Sequence, residues 1–91
     1  MAGAIRNIGP TSAAWLAEID IHTLDDLRAI GAVEAYARLR FRFGRRINRN
    51  MLFAMAAALA DTDWRNLTPE HRSELDRAAR ARLARFEITE I

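Results

Sequence analysis

Apolar residues recur along the chain at intervals of three and four positions, which is the spacing of an amphipathic helix. No segment shows the strict alternation of apolar and polar residues that is typical of a half-buried β-strand. The helical pattern covers residues 11–19, 24–30, 33–43, 49–59 and 69–86. The sequence therefore predicts an all-α fold, a compact bundle of about five short helices.

Residues that commonly start or stop helices flank these segments. Starts are indicated at Gly9-Pro10, Thr23, Asn48 and Thr68-Pro69-Glu70, and ends at Gly31 and Gly44. Asp26 follows Thr23 by three residues, as the acid of a capping box does. We therefore expect the second helix to begin at Thr23 and the third helix to stop at Gly44.

The fourth predicted helix is apolar on nearly all sides, so we expect it in the middle of the bundle. Five small side chains would let its neighbours approach closely: Ala54, Ala56, Ala57, Ala58 and Ala60. Trp15, Tyr36 and Trp64 lie beside apolar stripes and are expected to be core or core-edge anchors. Trp15 and Leu16 are expected to be buried where the first helix meets the fourth.

Composition favours a single domain, which we place over residues 1–91. The chain is 51% hydrophobic and 29% charged, ordinary proportions for a domain with a buried core. The longest apolar stretch without a charge, residues 50–60, is much shorter than the roughly 20 residues that cross a bilayer. Since there is no cysteine and no signal-peptide pattern, we expect a cytoplasmic protein that is not inserted in a membrane.

Side chains that could form a metal or catalytic site are few and widely spaced. His22 and His71 have no third ligand at metal spacing, so no metal and no cofactor is expected. The acids occur mainly near predicted helix ends, where acids usually cap helices. No nucleophile–base–acid set, P-loop or dinucleotide fingerprint can be identified. The sequence thus predicts that the protein is not an enzyme.

The charge of the chain is unevenly distributed. Residues 35–60 contain six arginines and no acid, whereas the remainder has eight arginines and twelve acids, so the formal charge of +2 divides into +6 and −4. Such a cluster is close enough to act as a unit on a polyanion such as DNA. Five of these residues form the candidate nucleic-acid-binding patch: Arg38, Arg42, Arg45, Arg46 and Arg49.

Two arrangements of this arginine patch are open. If the third helix continued through Gly44, four of the arginines would form one cationic stripe, with Phe41 and Phe43 available to stack on bases. Gly44 argues against that continuity. In the alternative, the arginines lie at a solvated helix end and pair with acids of the fifth helix, and Phe43 belongs to the core.

Several short strings of the sequence resemble one known family. They are Ile8-Gly9-Pro10-x-Ser12-Ala13-x-Trp15-Leu16, Ile21-His22-Thr23-Leu24-x-Asp26-Leu27, Gly31-Ala32-Val33-x-Ala35-Tyr36 and Ala58-Leu59-x-x-x-x-Trp64. Together they resemble the C-terminal domain of the TfoX/Sxy competence regulators over about residues 5–75, which leaves residues 76–91 as the end of the last helix and a tail. The chain departs from the family pattern at Asp20, where glycine is usual, and at Thr11, where a basic residue is common.

The resemblance implies a small helical domain of the helix-hairpin-helix, or SAM-like, type. It also implies a stand-alone copy of the C-terminal module, since the N-terminal domain of the family is absent from the sequence. Family members are linked to the regulation of DNA-uptake genes, partly through the cyclic-AMP receptor protein. We therefore expect a regulatory role, with a transcription regulator or another protein as a partner.

The turn before the first helix is a second candidate site, because helix-hairpin-helix motifs hold a phosphate with backbone N–H groups at a Gly-hydrophobic-Gly turn. The corresponding residues are Asn7, Ile8, Gly9 and Thr11. Asn7 stands in place of the first glycine, and Pro10 offers no N–H. A purely structural hairpin is the alternative. In either case we expect Gly9 to adopt a conformation, or a close approach, that a Cβ would forbid.

Two functions follow as alternatives. In the first, the chain is a non-enzymatic regulatory adaptor that makes weak, non-specific contact with DNA through the hairpin and the arginine patch. In the second, it is a protein–protein interaction module that does not contact nucleic acid and can self-associate through an apolar helix face. Salt-dependent binding to DNA would separate them.

Overall fold

Five helices make up the computed structural model, which describes residues 8–89 and the side chains of residues 8–84. The helices are α1 (Pro10–Ala17), α2 (Leu24–Ile30), α3 (Ala32–Phe43), α4 (Arg49–Leu59) and α5 (Pro69–Thr89). Single 3-10 turns at Gly44–Arg46 and Trp64–Asn66 join α3 to α4 and α4 to α5. No strand occurs in residues 8–89, and the prediction of an all-α bundle of five helices is confirmed.

The predicted capping residues start their helices. The Oγ1 atom of Thr23 accepts the N–H of Asp26 at 3.1 Å, and the Asp26 carboxylate accepts the N–H groups of Thr23 and His22 at 3.1 and 2.9 Å. These backbone donors, that of His22 above all, hold the pKa of Asp26 below its ordinary value. Asn48 caps α4 and Thr68 precedes α5, each accepting a backbone N–H at 3.0 Å. The capping predictions are confirmed.

The glycines differ in backbone conformation. Gly31, between α2 and α3, has a φ of +84°, and Gly44, which ends α3, has a φ of +65°, so both occupy regions that favour glycine. Gly9 is extended, with φ −81° and ψ 177°, and a Cβ built there would meet nothing within 4 Å. The expectation that Gly9 needs the freedom of glycine is therefore wrong, because α1 starts from an ordinary extended residue.

The core is centred on α3 and α4. Helix α3 packs against the other four helices, and α4 packs against α2, α3 and α5. The largest fully buried side chains are Leu16, Leu27, Leu39, Ile47, Leu52 and Met55. Ala56, Ala57 and Ala58 are also buried, which allows close packing around α4. The central position predicted for α4 is confirmed and is shared with α3.

The aromatic anchors divide into three cases. Tyr36 is buried, as expected. Trp15 is only half-buried, and its ring packs on Phe43 of α3 with 6.0 Å between centroids; Leu16 beside it is fully buried. Trp64 is 42% exposed. The expectation that Trp15 is buried where α1 meets α4 is thus corrected, because α1 packs on α3 and enters the core through Leu16. Of the two positions expected for Trp64, core or core edge, the core is excluded, because Trp64 lies on an exposed turn.

The last helix carries its apolar stripe as predicted over the part whose side chains are described. Ala79 is buried, and Leu75 and Leu83 pack against the core. The side chain of Phe86 lies outside the described residues. Among those residues no helix has the length and apolarity needed to cross a membrane.

Candidate nucleic-acid interface

The arginine patch does not form a continuous helical stripe. Helix α3 ends at Phe43, and the chain changes direction at Gly44. The six arginines of residues 35–60 therefore lie on three successive elements: Arg38, Arg40 and Arg42 on α3, Arg45 and Arg46 in the 3-10 turn, and Arg49 at the start of α4. The arrangement that required helical continuity is excluded.

Three patch arginines face carboxylates. The Arg38 Nε lies 3.1 Å from a Glu34 oxygen, and an Arg42 nitrogen lies 2.7 Å from a Glu18 oxygen. Arg49 is 3.7 Å from Asp76, which makes it the patch arginine that pairs with α5. All three arginine side chains are about half exposed or more, with 49, 54 and 63% of their surface accessible. Such pairs contribute little to stability but partly neutralise the arginines within the protein.

The remaining arginines of residues 35–60 have other surroundings than the three that face carboxylates; they are Arg40, Arg45 and Arg46. Arg40 is half-buried and donates to the Ile47 carbonyl oxygen at 3.0 Å, so it closes the turn that follows α3. Arg45 and Arg46 are exposed. Within residues 8–84 neither has a carboxylate at ion-pair distance. Their charges therefore face solvent at the corner between α3 and α4.

A cleft of ≈ 360 Å³ lies beside this corner. It brings together residues from α1, the first 3-10 turn, the start of α4 and the second 3-10 turn. Its polar and aromatic lining residues are Ser12, Trp15, Arg46, Asn48, Asn50 and Trp64. Met51 and Ala54 also line it. Among the residues that the structure describes, the lining thus contains one cation, two tryptophans and no carboxylate.

Both tryptophan rings of the cleft are supported by a neighbour. Trp15 packs on Phe43, as described above, and Arg42 lies over the Phe43 ring at 5.8 Å. The guanidinium of Arg72 lies 5.7 Å from the Trp64 ring centroid and 5.6 Å from that of Phe53. Arg72 also donates to the Trp64 carbonyl oxygen at 3.0 Å. These contacts hold the two rings in place before any ligand arrives.

The hairpin residues directly precede Ser12, which belongs to α1 and lines the cleft. Asn7 lies outside the described residues. Ile8 packs against the core, Gly9 precedes α1, and Thr11 is exposed in its first turn. Helix α1 has neither a side-chain cap nor an acid in its first turn, so the positive end of its dipole is not offset locally.

The two phenylalanines proposed as stacking partners are separated. Phe43 is half-buried between Trp15 and Arg42, which assigns its ring to packing. Phe41 is 73% exposed and lines a second groove, of ≈ 660 Å³, beside Arg38 and Arg42. Phe41 therefore does not share a surface with the two tryptophans of the cleft.

Glu34 and Arg82 form the polar edge of this second groove. Arg82 donates to both Glu34 carboxylate oxygens, at 2.8 and 3.1 Å, and Arg38 donates to the same carboxylate at 3.1 Å. The hydrogen bond from Arg82 is the main reason that the pKa of Glu34 is lowered, and the pair raises the pKa of Arg82. The cations of the groove are therefore already paired with carboxylates, and Arg38 and Arg82 share that of Glu34.

Sequence reasoning did not identify the cleft. The sequence predicts Asn48 only as a helix cap and Trp64 only as a core or core-edge anchor, and it assigns no binding role to Ser12 or Asn50. No spacing in the sequence links residues 12, 46 and 64, because their proximity depends on how α1 and the second 3-10 turn pack around α4. In residues 8–84 no three His, Asp or Glu side chains are grouped so that they could hold a metal ion.

The arginine patch and the cleft beside it lie within one family match. The model of the family described as TfoX C-terminal domain matches residues 3–79. The chain belongs to the TfoX C-terminal domain family. The match extends slightly beyond the resemblance seen at residues 5–75 and includes the arginine patch and the cleft. Comparison with curated proteins gives no significant match, and neither does comparison with solved structures.

Proposed function

We propose that this member of the TfoX C-terminal domain family is a non-enzymatic regulatory adaptor that makes weak, sequence-independent contact with DNA phosphates. The proposed contact surface is the corner formed by Arg45, Arg46 and the first turn of α1. Its regulatory role would concern DNA-uptake genes, as the TfoX/Sxy resemblance implies. A transcription regulator would then be the protein partner.

The main support for this proposal is that some arginines of the patch contact a carboxylate and others, within the described residues, do not. Arg45 and Arg46 are exposed and have no carboxylate partner among the described residues, whereas Arg38 and Arg42 already contact Glu34 and Glu18. A phosphate can approach the first two without displacing an internal acid. Ser12 and Arg46 line the same cleft, so the uncapped start of α1 adds its N–H groups and dipole near the same charge.

Salt titration of DNA binding tests this proposal with a matched pair of variants. If Arg45 and Arg46 each neutralise one phosphate, the logarithm of the affinity should fall with the logarithm of salt at a slope of roughly −1.8, from about −0.9 per contact. Arg45→Gln/Arg46→Gln should flatten this slope by about 1.8. Arg38→Gln/Arg42→Gln removes the same formal charge and should change the slope much less. Fluorescence anisotropy of labelled duplex DNA provides the measurement.

The melting temperatures of both double variants are measured in the same test, to show that each variant is folded. Exposed arginines contribute little to folding, so the melting temperatures should stay within a few degrees of the wild-type value. An equal loss of slope in the two double variants would contradict the special role of Arg45 and Arg46. Absence of binding by the wild-type chain at low salt would overturn DNA contact itself.

A second candidate function is supported by Phe41. A phenylalanine that is 73% exposed, beside a groove with apolar and charged walls, is typical of a protein contact. In this alternative the chain binds another protein, or a second copy of itself, and does not contact nucleic acid. Sedimentation of the wild-type chain and of Phe41→Ser over a range of concentrations would detect self-association through this residue.

A further inference from the structure

The cleft beside Arg46 combines three features that duplex phosphates do not require. It has two aromatic rings, amide side chains at Asn48 and Asn50, and a volume of ≈ 360 Å³. Surface binding to the DNA backbone needs only cations and N–H donors. A recess of this volume is at the lower end of the range for small-ligand sites, about 300–1,000 Å³, which suits a single flat ring system.

The two rings are suited to stacking because their orientation is already set. Phe43 supports Trp15, and Arg72 supports Trp64 through its guanidinium and its bond to the Trp64 carbonyl oxygen. A ring that is held in place loses little side-chain entropy when another ring stacks on it. Trp64 is also 42% exposed, so part of its surface is accessible to a ligand.

The polar side chains of the cleft fit the rest of a nucleotide. Arg46 supplies a positive charge for the phosphate, and the amide of Asn50 can donate to and accept from the edge of a base. No acid lines the cleft among residues 8–84, so no described side chain of the lining repels a polyanion. In a duplex the bases are stacked and paired, whereas in a single strand they can turn outward and stack on aromatic side chains.

We propose that this cleft binds an unpaired nucleobase, so that the chain prefers single-stranded over duplex nucleic acid. This inference rests on the proposed function, since Arg45 and Arg46 bring the backbone to the corner. It adds the class of ligand: a single strand whose phosphate contacts Arg46 and whose base stacks on Trp15 or Trp64.

Intrinsic fluorescence can test the inference directly, because the chain has two tryptophans and both line the cleft. The wild-type chain is titrated at low salt with a single-stranded oligonucleotide of about 12 nucleotides, and with the duplex of the same sequence. Single strands should quench the fluorescence and bind several-fold more tightly than duplex. Trp64→Ala should weaken single-strand binding by about 5- to 100-fold, as expected for one lost stacking contact.

Controls separate stacking from charge and from folding. Trp64→Phe keeps an aromatic ring and should retain most of the preference for single strands. Phe41→Ala removes an exposed ring from the second groove and should leave binding unchanged. Arg46→Gln should weaken binding to single strands and duplex alike. Circular dichroism verifies that each variant is folded; if Trp64→Ala is not, Asn50→Ala replaces it, with a selective loss of single-strand affinity as the expected result.

The outcomes distinguish this inference from the proposed function. Selective loss of single-strand affinity in Trp64→Ala supports the inference. The base site is overturned if the wild-type chain binds single strands and duplex with equal affinity and Trp64→Ala does not change that affinity. If Arg45→Gln/Arg46→Gln then reduces the affinity, contact with DNA phosphates is still supported. If neither oligonucleotide binds, the proposed function fails and the base site fails with it.

Discussion

Gly31 has φ +84° and ψ 160°, a combination that is open almost only to glycine. This conformation lets α3 follow α2 with a single residue between them, because Gly31 is both the C-cap of α2 and the N-cap of α3. Gly9 also precedes a helix, but its backbone is extended. The two glycines therefore have different structural roles although both stand at helix starts.

Substitution of these two glycines by alanine should have opposite consequences. Gly31→Ala forces a Cβ into a disfavoured conformation and should lower the free energy of unfolding by about 1–3 kcal/mol. Gly9→Ala meets no neighbouring atom and should change it little, or raise it by up to about 1 kcal/mol because the unfolded chain loses freedom. Urea denaturation of both variants provides the comparison. A large loss of stability in Gly9→Ala would contradict this assignment.

The backbone conformation of Asp20 explains why aspartate can stand where the family pattern has glycine. Its φ is +64°, in the left-handed region where glycine is favoured and where aspartate is tolerated better than most residues. The resemblance described above has glycine at this place. Aspartate thus makes a turn between α1 and α2 whose backbone conformation glycine would also favour.

At the scale of elements, α1 is attached to the core mainly through one side chain. Leu16 is fully buried, whereas Trp15 beside it is half-buried and packs on Phe43 at the end of α3. An eight-residue helix is too short to be stable alone in water. Its position, and with it the wall of the cleft, therefore depends on this packing.

Truncation of Leu16 should therefore lower the free energy of unfolding more than truncation of Trp15. Leu16→Ala leaves a cavity in the core and should cost about 2–5 kcal/mol of unfolding free energy. Trp15→Ala removes a ring that is partly in solvent, and should cost less than the roughly 3–5 kcal/mol typical of a buried tryptophan. Thermal or chemical denaturation of the two variants gives the order. The opposite order would indicate that Trp15, and not Leu16, anchors α1.

At the scale of the whole molecule, Glu34 joins parts of the chain that are distant in sequence. It lies on α3 and accepts two hydrogen bonds from Arg82 of α5, 48 residues away. The Glu34 and Arg82 side chains are 27 and 26% exposed, so water screens this pair less than the exposed pairs of the patch. The contact helps to hold the long last helix against α3.

The lowered pKa of Glu34 makes this contact dependent on pH. Because the folded-state pKa lies below the ordinary value of 4.5, the stabilisation is fully present above that value and is lost as the pH falls through the folded-state pKa. Glu34→Gln should therefore lower the free energy of unfolding by about 1 kcal/mol at neutral pH, with the difference from wild type vanishing in acid.

Denaturation at neutral and acid pH, with Glu74→Gln as a control, measures this effect. Glu74 is an exposed glutamate on α5, and its substitution should matter little at either pH. A difference between wild type and Glu34→Gln that persists unchanged into strong acid would show that the effect arises from packing and not from the charge.

The number of helices and most of their boundaries can be predicted from local patterns in the sequence. Thr23, Asn48 and Thr68 act through hydrogen bonds to residues two or three positions away, so their effect can be predicted from local spacing. The family, too, follows from short strings of residues. Local patterns also predicted that Gly44 would end α3, because a helix end depends on nearby backbone geometry.

Which side chains are available for a partner depends instead on how the helices pack. The carboxylate of Glu18 reaches Arg42 from 24 residues away, and Trp64 and Ser12 line the same cleft although they are distant in sequence. Such pairings depend on the angles at which helices pack, which local spacing does not specify. The sequence could therefore locate the positive charge within residues 35–60, but the division between internally paired arginines and Arg45 and Arg46 arises only when α1, α3 and α5 pack together.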